Sequence, residues 1–174
     1  MCLDKILTDG KITDETTRQL VVNAMIGSAK NDQDILKLSQ WFKDEKITNS
    51  AGKVLDIKVT VGLKHSFIKR IWSSSGISLA DKQSLLDDLE KLDKSDRFEK
   101  TQKYCEAAHP ENKQKMWDLY FSKGDELKSW GLHAYQQSFL GFAQTQHHQY
   151  IEKFEDEFFA NIEDVIKFKG RFVA

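Results

Sequence analysis

Pro110 is the only proline in a chain of 174 residues. Average usage is roughly 5%, and proline inside a helix removes a hydrogen bond and clashes with the preceding turn. A chain that nearly excludes it is suited to long helices, and its nine glycines interrupt little. The best competing strand signal is Val54-Leu55-Asp56-Ile57-Lys58-Val59-Thr60-Val61, which is β-branched and alternates in places. Its surroundings read as helix, and the segment is taken as helix with them.

The apolar spacing predicts a succession of amphipathic helices. Thr13 or Asp14 caps the first, which runs to about Met25 with Leu20, Val21, Ala24 and Met25 on one side. The next opens between Asn31 and Asp34 and carries Ile35, Leu38, Trp41 and Phe42. A third passes through Val54, Ile57, Val61 and Leu63, followed by Phe67, Ile68, Ile71 and Trp72. Ser78 caps a helix bearing Leu79, Leu85, Leu86, Leu89 and Leu92. Ser95 caps another with Phe98, Thr101, Tyr104, Cys105 and Ala108. Pro110 then starts a helix with Met116, Trp117, Tyr120 and Phe121, since proline is well placed at a first helical position. Gly124-Asp125 breaks it. A helix from Ala134 to Phe142 follows, and the last and longest covers His147 to Phe168, with Tyr150, Ile151, Phe154, Phe158, Ile162, Val165 and Ile166 as its stripe.

Roughly nine or ten helices of about 10–20 residues, joined by short turns, imply antiparallel neighbours. The expected fold is all-α: antiparallel helix pairs in an α-solenoid of HEAT or armadillo style, one helical-repeat domain over residues 1–174. No clean repeat period supports this from the letters alone.

Hydrophobic residues make up 40% of the chain, enough for a core, and charged residues 30%. The formal net charge of -1 argues against a nucleic-acid binder, which carries a basic excess. No run of about 18 apolar residues suggests a membrane span. The start Met-Cys-Leu-Asp-Lys lacks the apolar stretch of a signal peptide. Cys2 and Cys105 show no metal-ligand spacing and are expected as thiols, which favours a cytoplasmic location.

Catalytic patterns are missing. A helical zinc protease needs HExxH, two imidazoles one turn apart and a glutamate to activate water. None of His65, His109, His133, His147 or His148 forms one. His148 with Glu152 is the nearest approach and reads as an exposed helical turn. Neither a nucleophile elbow nor a phosphate-binding loop occurs. The acidic groups Asp87-Asp88, Asp93 with Asp96, and Glu155-Asp156-Glu157 read as solvated faces, with Asp96 favouring a helix N-terminus beside Ser95. Trp41, Trp72 and Trp117 read as core; Trp130 stands beside Gly131 in a loop.

One ordered set is more specific. Ser78-Leu79-Ala80-Asp81-Lys82-Gln83-Ser84-Leu85-Leu86 leads to Asp93-Lys94-Ser95-Asp96. Then come Cys105 through Lys113, with Ala107 and Pro110, and Lys115-Met116-Trp117. Gly141-Phe142, Gln146, Tyr150 and Phe158-Phe159 close it. Over residues 65–170 this order resembles the C-terminal helical domain of aminopeptidase-N-type zinc peptidases, which include the puromycin-sensitive and endoplasmic-reticulum aminopeptidases. Residues 1–64 match only in helical style. The family pattern is D-x-[ST]-D-x-G, then alanine, proline, lysine and tryptophan in order, then G-F.

The resemblance implies an all-α superhelical domain that arches over a thermolysin-like catalytic domain, encloses its chamber and shapes peptide access. The partners it implies are that catalytic domain of the same parent chain and the peptide substrate. Zinc would belong to the catalytic domain, because HExxH and the substrate motif GxMEN lie upstream in the family and are absent here. Asp96, Pro110, Lys113, Trp117, Gly141 and Phe142 match the motif and carry scaffold roles: cap, helix start, packing anchors and a close helix approach. No catalytic residue carries over. Phe98 departs from the pattern, standing where the family has glycine, and the chain stops at Arg171-Phe172-Val173-Ala174, where the family continues. The competing expectation is a freestanding helical-repeat module that binds a protein or peptide.

Overall fold

A computed structural model describes residue 12, residues 14–121 and residues 129–169. Thr13, Cys2, the break at Gly124-Asp125 and the side chains of Val165 and Ile166 lie outside the described residues, as does the segment from 170 to 174. Among the described residues the chain is all-helical and has no strand. The helices gather into two compact units, Met1–Lys94 and Ser95–Ala174.

In the first unit, α1 spans Glu15–Ser28, α2 Asp32–Asp44, α3 Val61–Trp72 and α4 Leu79–Leu92. Each start is capped by an oxygen that satisfies an orphan backbone N–H. The Asp14 carboxylate accepts from Thr17 N at 2.7 Å, and the Asn31 amide oxygen from Asp34 N at 2.9 Å. The Thr60 and Ser78 hydroxyls accept from Leu63 N and Asp81 N, each at 3.2 Å. Helix α3 is the centre of this unit and lies against α1, α2 and α4. Its Phe67, Ile68 and Ile71 are completely buried, and Trp41 of α2 meets Phe67 with ring centroids 6.2 Å apart.

Some expected faces are rotated. On α1 the core side chains are Val22 and Ile26, four residues apart, whereas Leu20 is 64% exposed. On α4 the buried set is Lys82, Leu85, Leu86 and Leu89, and both Leu79 and Leu92 point to solvent.

The expected helix through Val54 and Ile57 does not form. Helix α3 begins only at Val61. Upstream, the chain doubles back in a tight loop: the Asn49 side-chain oxygen accepts from Ala51 N and Lys53 N, and Gly52 adopts φ 79°. Thr48 and Val54 form an isolated antiparallel bridge, and Leu55 N donates to Ile47 O at 2.8 Å. Beyond it burial alternates: Val54 exposed, Leu55 buried, Asp56 exposed, Ile57 buried. A period of two belongs to an extended backbone. The β-branched pattern therefore outweighs the helical surroundings.

In the second unit, α5 spans Asp96–Ala108, α6 Lys113–Phe121 and α7 Leu132–Phe142, with a 3-10 turn over Pro110–Asn112. Helix α5 packs along α7, its neighbour but one in the chain. The expected single final helix is interrupted. After a 3-10 turn, Thr145–His147, come α8, His148–Ile151, a second 3-10 turn, Glu152–Phe154, and α9, Glu155–Lys169. At the second turn Phe154 is tucked away from solvent, stacked on Trp117. Tyr150, expected on the buried stripe, is exposed.

Candidate functional site

The motif residues of the second unit meet at the point where α5 ends. His109 N donates to Cys105 O, closing the last turn of α5. Pro110, which has no N–H to satisfy, opens the 3-10 turn. Asn112 holds that turn down by donating its side-chain amide to Glu106 O at 2.8 Å. The tight turn aims Lys113, the first residue of α6, back at the helix it has just left.

Lys113 is 2% exposed. Its Nζ donates to Ala107 O at 2.8 Å, Phe142 O at 2.8 Å and Gly141 O at 3.2 Å. An ammonium has three N–H donors, and all three are used. The acceptors are C-terminal carbonyls of α5 and of α7, the ends that carry partial negative charge. One cation thus ties two helix ends together. Burial pushes the Lys113 ammonium down from its usual range to about 7. The three carbonyls and two helix termini act in the opposite direction by favouring the charged form. With its donors committed, the Lys113 side chain joins the ends of α5 and α7.

Gly141 makes this joint possible. A β-carbon there would lie 2.2 Å from the Tyr104 carbonyl oxygen, so only glycine allows α7 to approach α5 this closely. The next residue, Phe142, is 4% exposed and carries Lys113 Nζ 5.1 Å from its ring centroid. Trp117, one turn after Lys113 on α6, is 4% exposed. Its ring stacks on Phe154 at 4.6 Å, and also meets Phe121 at 4.1 Å and Phe142 at 6.1 Å. Its indole N–H donates to Glu157 at 3.0 Å. Tyr120 faces Phe142 edge-on and shares a 2.6 Å hydrogen bond with Ser138. Burial raises the Tyr120 pKa, which keeps the hydroxyl protonated. Aromatic pairs of this kind add about 0.5–1.5 kcal/mol each beyond their buried area.

Of the six motif residues, the structure brings Lys113, Trp117, Gly141 and Phe142 into one joint, with Pro110 directing entry to it. Asp96 stands apart. The cap of α5 is Ser95, whose hydroxyl accepts from Arg97 N at 3.2 Å, and Asp96 occupies the first helical position. There it is exposed and pairs with Lys100 at 2.7 Å. Phe98, the departure from the family pattern, is buried.

Among the described residues no three His, Cys, Asp or Glu side chains come together as metal ligands, and His148 and Glu152 are both exposed. No described helix is long and apolar enough to cross a membrane. Comparison with known proteins adds no family. No family model, curated protein or solved structure matches the chain.

Sequence reasoning missed the parallel devices in the first unit. Arg70 donates to Ala29 O, the carbonyl of the α1 C-cap. Lys82, 2% exposed, donates to Ser74 O and reaches Trp72 O at the end of α3. Lys64, 5% exposed, pairs with Glu45, the C-cap of α2, and holds that carboxyl below its usual range. His65 Nε2 lies 2.8 Å from Asp93 Oδ2, so Asp93 is not a solvated charge. Lysine is seldom buried without a partner. A signal existed at Lys82, three and four residues before Leu85 and Leu86 and therefore on their stripe.

Proposed function

We propose that this chain is the non-catalytic C-terminal helical domain of an aminopeptidase-N-type zinc peptidase, built of antiparallel helix pairs in a solenoid. In that role it closes over the active-site chamber and shapes which peptides enter, while an upstream catalytic part binds zinc and removes N-terminal residues. The observation that carries this reading is the Lys113 joint. Four residues selected by order in the sequence, and separated by up to 29 positions, converge on one buried contact. Their chemistry is that of a scaffold: spent donors, stacked rings and a glycine under a backbone oxygen. Such a joint sets the angle between helices and offers no reacting group, as a domain that contributes shape to an enzyme would require.

A mixing experiment tests the reading. The chain is added to a separately produced catalytic region of this peptidase class, and hydrolysis is followed over peptides of increasing length. Binding with a length-dependent change in rate is expected. Chelator-sensitive cleavage of aminoacyl-coumarin substrates by the chain alone would overturn it.

The second reading is a freestanding helical module for a protein or peptide partner. Helix α7, which has no Asp, Glu, Lys or Arg, favours it, since Leu132 and Leu140 are 46% and 55% exposed on a chain rich in charge elsewhere. Absence of binding and of any rate change in the mixing experiment would move the weight to this reading.

A further inference from the structure

Helix α9 carries an apolar side chain that is largely open to solvent and touches only the edge of the neighbouring Phe158 ring among the described aromatic pairs. Phe159 is 75% exposed, the most exposed of the described large hydrophobic residues. The inward side is used: Phe154, in the 3-10 turn just before α9, lies in the aromatic core, and Phe158 of α9 meets Phe121 edge-on at 6.2 Å. Phe159 is therefore not a core residue displaced by one position. Residues three and four apart share a helix face, which puts Glu155, Asp156 and Glu163 around Phe159. All three are exposed. Glu155 and Asp156 have no ion pair with a described residue. Both also stand in the first turn of α9, where negative charge suits the helix dipole. The dipole accounts for the carboxylates but not for an aromatic ring set among them.

Charge complementarity selects the occupant. Carboxylates beside an exposed ring repel nucleic acid and anionic lipid and gain nothing from a neutral apolar partner. A guanidinium satisfies both components: its plane stacks on an aromatic face while its charge and N–H groups meet carboxylates. We propose that this face of α9 docks an arginine-bearing polypeptide segment, with one guanidinium stacked on Phe159 and directed to Glu155 and Asp156. The proposal rests on α9 alone and holds under either reading of the chain's function.

The test uses the whole chain, labelled with nitrogen-15, and the peptide acetyl-Gly-Arg-Gly-Arg-Gly-amide, with the citrulline-for-arginine peptide as control. Amide shifts concentrated at residues 155–163, weakening with added salt and absent with the citrulline peptide, are expected. Phe159→Ser should weaken binding about two- to fivefold, the worth of an exposed cation–π contact. Glu155→Gln with Asp156→Asn should weaken it while leaving the Phe154 and Trp117 signals in place. Shifts spread evenly over the acidic surface, or equal affinity of the Phe159→Ser chain, would overturn the proposal. So would equal binding of the citrulline peptide.

Discussion

Gly141 and Tyr104 approach so closely that a β-carbon on residue 141 would sit 2.2 Å from the Tyr104 carbonyl oxygen. That oxygen belongs to the backbone of α5 and cannot rotate aside. Gly141→Ala must push α7 away from α5 and stretch the Lys113 contact to the Gly141 carbonyl with it. Overpacking of this kind costs about 1–3 kcal/mol. Urea unfolding of the variant measures it, and an unchanged midpoint would contradict the close approach.

Lys113→Met leaves three carbonyls without their donor. A buried polar group deprived of its partner costs about 1–3 kcal/mol, and a loss of that size is expected at neutral pH. The pH dependence has a definite sign. The folded pKa of Lys113 is lowered to about 7, against 10.5 for the ordinary side chain. Between those values the unfolded chain holds a proton that the folded one has released, so the Lys113 contribution to stability rises with pH across that window and is flat below it. Stability of the natural chain should therefore gain on that of Lys113→Met from about pH 7 upward. A constant difference over pH 7–10 would mean that the carbonyls hold the proton on.

Trp117→Ala removes the ring on which Phe121, Phe142 and Phe154 converge. Truncation of a buried tryptophan costs about 3–5 kcal/mol. It also removes the indole N–H that donates to the Glu157 carboxylate. Trp117→Phe should recover part of the loss by restoring a stacking surface. Thermal unfolding of the two variants side by side checks both statements.

The extended segment before α3 is tested by a pair of neighbours. Leu55 is 7% exposed and Val54 is 53% exposed. Leu55→Ala should cost about 2–5 kcal/mol, the range for a buried leucine, and Val54→Ala close to nothing. Equal costs would argue against the alternation. Chemical denaturation of the two variants gives the comparison directly.

Fold class was readable because it depends on what is scarce. With one proline and strong polar caps at Asp14, Asn31, Ser78 and Ser95, helices had to dominate, and the structure uses all four caps. Fine register was not readable on α1. Its apolar residues Leu20, Val21, Val22, Met25 and Ile26 surround too much of the helix for spacing to pick a face, and the packing against α3 decided it. The segment from Val54 to Ile57 follows its own period of two and not the helical period of its neighbours, which is the stronger signal over a much longer stretch. At the joint, the individual letters were visible and their meeting was not. Lys113 and Phe142 are 29 residues apart, and only the close crossing at Gly141 brings them together. Buried lysines are hardest to anticipate, because the usual reading of lysine is a solvated one.

Arg70, Lys82 and Lys113 each reach from one helix to the closing carbonyls of another. These helices are finished by side chains from elsewhere in the chain, so a helix excised or grafted into another scaffold would leave its end group behind. The transferable piece is the crossing and not the helix. Any transplant of this architecture has to carry Ala107, Lys113 and the Gly141-Phe142 pair as one block, and an edit that shortens the path between them forfeits the splice.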